Sequence, residues 1–163
     1  MGTDFTFAYG SNMNYSDLRS WLERNGFDSS LIVSRQVARL EGYDFVWNFY
    51  SSGRAGGTAN LEPKEKSVVW GVLVEFEEAL LKAFDRKEGH PVFYSRGERR
   101  VTVIRAEDEA AVPAWLYLAN SNRSGRTDVW PTRVYKKLIL DAAIEADLPQ
   151  DFVDKITSWN TRG

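Results

Sequence analysis

Asp4-Phe5-Thr6-Phe7-Ala8-Tyr9-Gly10-Ser11-Asn12-Met13 opens the chain with an apolar, strand-like run that breaks at Gly10 into a small polar turn. Gly10 admits backbone angles closed to other residues, so the N–H groups of positions 10 to 12 could converge on one point and hold an oxygen anion. The same residues also make an ordinary tight turn into a helix capped by Asn14 or Ser16. The stretch therefore sets a strand, a turn and a helix in order, and leaves binding to be decided elsewhere.

Outward from that start, the pattern reads as strand 4 to 9, helix 14 to 24, and long strand-like segments over 33 to 50. Gly53, Gly56 and Gly57 mark a turn before a strand near 57 to 62, and a further strand covers 68 to 75. A helix ends at Glu88. Strands over 93 to 105 and 113 to 119 follow, then a polar loop from Asn120 to Asp128, expected to be mobile because it is rich in Ser, Asn and Arg. Helices over 132 to 146 and 150 to 159 close the chain, the second with Pro149 in its first turn. Strands dominate the middle without the regular alternation of a parallel doubly wound sheet, which points to α+β.

Phe84-Asp85-Arg86-Lys87-Glu88-Gly89-His90-Pro91 carries the second signal. Leu80, Leu81 and Phe84 recur at helical spacing, Gly89 supplies a left-handed stop, and Pro91 prevents resumption, so Glu88 is the last helical residue. A carboxylate there faces the negative end of the helix dipole, which raises its pKa toward the range of a general acid/base. The alternative is a surface Glu paired with Arg86 or Lys87.

With 163 residues the chain is read as one domain, 1–163, long enough to bury a core without staples. It has no cysteine, which removes disulfides, zinc-thiolate sites and thiol nucleophiles together. A net charge of −2 gives no global field toward nucleic acid or an anionic membrane, and Arg96, Arg99, Arg100, Arg123 and Arg126 read as solvated. No apolar run approaches the ~20 residues of a spanning helix, and no basic leader with an apolar core begins the chain. The expectation is a soluble, cytoplasmic protein without membrane or nucleic-acid partners. Trp47, Phe49, Trp70, Trp115 and Tyr117 lie in strand-like stretches and read as core.

The paired motifs Tyr9-Gly10-Ser11-Asn12 and Asp85-x-x-Glu88-Gly89, with Tyr94 after the second, resemble the γ-glutamylcyclotransferase family. Further similarities run through Val37-Ala38-Arg39-Leu40, Gly56-Gly57-Thr58-Ala59, Val69-Trp70-Gly71-Val72, Tyr117-Leu118, Tyr135-Lys136-Lys137 and Leu148-Pro149, in matching order. The chain departs from the family in having Pro131-Thr132 where many members have Pro-Ser, and Ala142-Ala143 where they have Gly-Ala. The resemblance implies a small, strongly curved mixed sheet closing into a β-barrel with flanking helices. It implies release of 5-oxoproline from a small-molecule γ-glutamyl substrate by intramolecular aminolysis, with no metal and no cofactor. Glu88 would be the general acid/base. Gly10, Ser11 and Asn12 would hold the glutamyl carboxylate or the oxyanion, and Tyr9, Tyr94 and Tyr135 would border the substrate. Tyr94 and Tyr135 read equally well as core aromatics.

Two rivals stand beside this reading. A serine hydrolase would use Ser11, His90 and Asp85, but the Gly10 turn lacks the G-x-S-x-G elbow and His90 directly precedes Pro91. A non-catalytic module would keep the fold and the loop for binding alone, which gives Glu88 no purpose.

Overall fold

The computed structural model describes residues 2–120 and 128–162. Residues 121–127, most of the polar loop expected to be mobile, lie outside them, as do Arg123 and Arg126. The elements are β1 (Thr3–Ala8), α1 (Tyr15–Arg24), β2 (Ile32–Val46), β3 (Tyr50–Ser51), β4 (Gly56–Gly57), β5 (Asn60–Glu77), α2 (Leu81–Glu88), β6 (Tyr94–Ser95), β7 (Val101–Arg105), β8 (Ala111–Ala114), β9 (Leu118–Ala119), α3 (Arg133–Glu145) and α4 (Gln150–Thr157). The fold class is α+β, as the order of elements in the sequence indicates.

One sheet carries the strands β1-β5-β2-β7-β8, every pair antiparallel. The expected closed barrel is a correction: the ladder stays open, and β1 meets the chain beyond β8 through a single parallel bridge, Thr6 to Trp115. Two hydrogen bonds make that bridge, Phe7 N–H to Trp115 O at 2.9 Å and Trp115 N–H to Phe5 O at 2.8 Å. Strand β5 is one 18-residue element where the sequence pattern reads two. Within its polar stretch Glu62-Pro63-Lys64-Glu65-Lys66, Glu62 and Pro63 pair with Asp44 and Tyr43 of β2 and not with β1, the register with β2 shifts beyond them, and a sheet edge tolerates proline where a central strand would not.

The core lies between this sheet and the helices. Phe76 of β5 and Phe84 of α2 are fully buried, their rings 4.8 Å apart, so α2 is fixed to the sheet one helical turn before Glu88. Leu18 and Leu22 of α1, Met13, and Ile139 of α3 fill the same interior. Asn14 caps α1 by accepting the Asp17 N–H at 3.0 Å, and its amide donates to Leu138 O at 3.1 Å, tying the start of α1 to α3. Thr132 caps α3 by accepting from Tyr135 N–H. Pro149 stands just before α4, at its cap position and not within its first turn. Aromatic rings of Phe45, Trp47, Phe152 and Trp159 hold α4 against the end of β2. No helix among the described residues is long and apolar enough to cross a membrane.

Candidate active site

The carboxyl end of β1 runs directly into a cavity of about 640 Å³. Tyr9, Gly10, Ser11, Asn12, Glu88, Tyr94 and Tyr135, separated by up to the width of the chain in sequence, all line it. Four routes bring them there: the turn after β1, the last residue of α2, the first turn of α3, and β6, which contributes Tyr94.

Residues Ser11–Met13 form a short 3₁₀ turn whose bonds run from Met13 N–H to Gly10 O and from Asn14 N–H to Ser11 O, each 3.0 Å. The N–H groups of Gly10, Ser11 and Asn12 precede those bonds, as the leading donors of a helical turn do. Gly10 itself has φ −120°, so a left-handed backbone is not the reason for glycine here. A Cβ would meet Ala59 Cβ and the Tyr135 hydroxyl, both at 3.3 Å. Close approach of three chain segments is what needs the missing side chain.

Gly89 ends α2 in the left-handed conformation, φ 69°, and His90 N–H reaches back to Asp85 O at 2.9 Å. Glu88 is thereby held at the helix end, where its Oε1 accepts the Asn12 amide at 2.7 Å. Lys87 Nζ donates to Asn12 Oδ1, also at 2.7 Å, so the Asn12 amide is gripped at both ends and its orientation is fixed. Burial raises the Glu88 carboxyl above its ordinary range, against the opposing pull of the Lys87 ammonium, the Asn12 hydrogen bond and Arg54. The direction matches the sequence reading, with burial rather than the helix end as the cause identified. Lys87 is pushed down by burial, with Glu88 and Asp17 resisting.

The tyrosines form the rest of the wall. Tyr135 Oη accepts the Ala59 N–H at 3.2 Å, and burial pushes its pKa up to about 12. Tyr94 Oη donates to Ala59 O at 2.7 Å, so its only proton is committed and Thr58 Oγ1 must be the donor in the 2.7 Å bond between them. Tyr94 and Tyr135 thus hold Ala59 by its C=O and its N–H, and both face the cavity. Tyr9 donates to Tyr117 O at 2.6 Å, and burial raises its pKa well above normal.

The serine-hydrolase constellation does not assemble. His90 Nδ1 accepts the Arg96 N–H at 3.4 Å, and the Asp85 carboxylate takes both Arg96 Nε at 2.8 Å and the Tyr117 hydroxyl at 2.6 Å. Those bonds hold the Asp85 carboxyl below the usual range even though burial alone would raise it. Arg96, read from sequence as solvated, is therefore a structural clamp at the base of α2. It and Arg100 each lie 4.4 Å from the centroid of the Trp115 ring.

Sequence reasoning missed Lys87 as a partner of the loop, and it missed Arg54, which lines the cavity, bonds Asp17 Oδ2 at 3.3 Å and lies 5.5 Å from the Tyr135 ring centroid. A charged residue inside the glycine-rich turn Gly53-Arg54-Ala55-Gly56-Gly57 was the available signal. Phe49 and Tyr117, read as core, are buried and also face the cavity. Trp130 does not line it; its carbonyl accepts the Gly57 N–H. Among the described residues no three His, Asp or Glu side chains converge as a metal-binding group.

A family model described as gamma-glutamyl cyclotransferase, AIG2-like, matches residues 6–137. Comparison with curated proteins gives no significant match. Among solved structures, a gamma-glutamyl cyclotransferase superposes with a TM-score of 0.81 at 23% identity, covering 99% of this chain and 90% of its own. The uncharacterized protein loc79017 from Homo sapiens gives 0.80 at 23% identity, with 99% and 90% covered. YkqA from Bacillus subtilis gives 0.78 at 19% identity, with 99% of this chain but 57% of YkqA covered. At these identities the structural likenesses establish the fold.

Proposed function

Because this chain belongs to the gamma-glutamyl cyclotransferase, AIG2-like family, we propose that it is a γ-glutamylcyclotransferase with Glu88 as its general acid/base. The observation that carries the proposal is Glu88 itself: a carboxyl group raised by burial, fixed by Asn12 at 2.7 Å, in the wall of a cavity of about 640 Å³.

In the proposed reaction Glu88 takes a proton from the α-ammonium of a γ-glutamyl group. The freed amine attacks the γ-carbonyl carbon of the same molecule, forming the lactam C–N bond and a tetrahedral oxyanion. Collapse of that intermediate breaks the original amide bond: the departing nitrogen receives the proton from Glu88, and the positively charged ring nitrogen releases its second proton, which ends on the freed amine as its ammonium. The products are 5-oxoproline and a free amine or amino acid. Nucleophile and electrophile already share one molecule, so the protein has to fold the substrate, move protons from the attacking to the departing nitrogen and stabilise one anion. A raised carboxyl pKa narrows the gap to the ammonium it deprotonates, which favours transfer.

The N–H groups of Gly10, Ser11 and Asn12 are assigned to an oxygen anion of the glutamyl part, its carboxylate or the developing oxyanion. The Tyr135 hydroxyl supplies a further polar contact, while Tyr9 and Tyr94 shape the wall. The test is incubation with a panel of γ-glutamyl amino acids and γ-glutamyl amines, measuring 5-oxoproline against released amine. Equal amounts of the two support the proposal, and no 5-oxoproline across the panel removes it.

A further inference from the structure

We propose that the leaving amine of the substrate carries a carboxylate, received by a cationic rim formed by Arg24, Arg54 and Arg86. The proposal rests on the γ-glutamyl reading above and adds the class of leaving group to it.

The charge of the cavity is opposite to that of the chain. The whole chain carries −2, yet among the described residues the cavity is lined by four basic side chains, Arg24, Arg54, Arg86 and Lys87, against two acidic ones, Asp17 and Glu88. Lys87 is committed to Asn12 at 2.7 Å, beside Glu88. The arginines have another disposition. Arg24 and Arg86 are exposed while still lining the cavity, which puts them where it opens to solvent, and Arg54 is intermediate. Arg24 ends α1, and Arg86 lies 5.9 Å from the ring of Phe27 just beyond that end, so the two share one side of the opening.

These guanidinium groups have donors to spare. Arg54 spends one side-chain hydrogen bond on Asp17 at 3.3 Å, and Arg24 spends one on Ser20 O at 3.2 Å, out of five N–H donors per guanidinium. Arg54 also acts electrostatically on Glu88, Lys87 and Tyr135, and Arg24 acts on Lys87, so the rim's field reaches the proposed reaction centre.

Geometry assigns the two halves of the substrate. The reacting γ-carbonyl must lie against Glu88, so the glutamyl half occupies the inner end and the group to be expelled points toward the opening. A γ-glutamyl amino acid at neutral pH has one ammonium and two carboxylates, a net charge of about −1, and places its second carboxylate among the arginines. A γ-glutamyl alkylamine has no net charge and leaves them unpaired. A γ-glutamyl group on a cationic amine would be repelled. Guanidinium–carboxylate contacts are charge-assisted and suited to a forked geometry, which makes them a source of discrimination as well as attraction.

The matched pair for the test is γ-glutamylalanine and γ-glutamylethylamide, which differ only in the carboxylate on the leaving group. The wild-type protein should favour γ-glutamylalanine in kcat/KM by at least about tenfold, the preference should shrink with added salt, and Arg24→Gln with Arg86→Gln should bring it toward unity. Arg54→Gln is the second variant, in case the double change disturbs folding. Equal kcat/KM for the two compounds overturns the inference while the cyclotransferase reading stands. If neither compound yields 5-oxoproline, that reading falls on its own, and calorimetric titration of the same two compounds decides the rim. Tighter binding of γ-glutamylalanine that the Arg variants abolish upholds it; equal binding, or none, overturns it.

Discussion

Replacing Glu88 with Gln should separate activity from stability, because the same burial that suits the carboxyl to proton transfer makes its charged form costly in the folded protein. The amide oxygen of Gln can accept the Asn12 Nδ2 hydrogen bond that Oε1 accepts at 2.7 Å, so shape and this link survive the change. The proton acceptor does not survive. Loss of general acid/base catalysis should lower turnover by roughly 100-fold, about 2.7 kcal/mol of barrier. For stability, the folded-state pKa of Glu88 lies above its ordinary 4.5. Its contribution is therefore complete below the unfolded value and declines as pH rises through the folded one. Gln has no such decline, so the Tm difference between variant and wild type should move in the variant's favour between about pH 4 and about pH 8. The assay is 5-oxoproline release on the folded variant, paired with thermal unfolding at those two pH values. Turnover within tenfold of wild type, or a variant that loses ground in stability as pH rises, would refute the reasoning.

Three further outcomes are expected. The acid limb of kcat/KM should lie above the ordinary carboxyl value of 4.5, and Lys87→Met should move it to higher pH, since the Lys87 ammonium is among the groups holding that pKa down; an unmoved limb in a folded variant would count against Glu88 as the titrating group. Gly10→Val, whose Cβ would stand 3.3 Å from both Ala59 Cβ and the Tyr135 hydroxyl, should damage every γ-glutamyl substrate alike, so a change in the ratio of kcat/KM between two leaving groups would mean that the loop does not serve the glutamyl half. Phe84→Ala removes a fully buried ring packed 4.8 Å from Phe76 and should cost about 3–5 kcal/mol in denaturant unfolding; a loss under about 1 kcal/mol would mean that α2 is held to the sheet by other contacts.

The features legible in the sequence are those set by local rules. The end of α2 follows from helical spacing and from Gly89, which does adopt the left-handed stop, and Asn14 is a cap visible by residue type. The features set by tertiary approach were not legible. Polar Glu62 to Lys66 with Pro63 reads as a gap between strands, whereas an edge position lets β5 continue through it. Barrel closure depends on how far β1 and the chain past β8 converge, and the backbone bridge between Thr6 and Trp115 does not extend into a ladder. At the site, residue types marked Gly10 and Glu88, but Lys87 and Arg54 belong to it only because the turn after β1, the β3 to β4 turn and α2 meet. Burial, which raises the Glu88 pKa, is likewise set by tertiary approach, whereas the helix end read from the sequence is local.

The central claim is cyclisation by an internal amine, and the most direct measurement is turnover of a γ-glutamyl amino acid in oxygen-labelled water, with both products analysed by mass. Cyclisation uses no water, so the account predicts unlabelled 5-oxoproline in equal amount to the released amino acid, with production depending on Glu88. Labelled glutamate in place of 5-oxoproline would show that water, not the substrate's own amine, attacks the γ-carbonyl, and would contradict it.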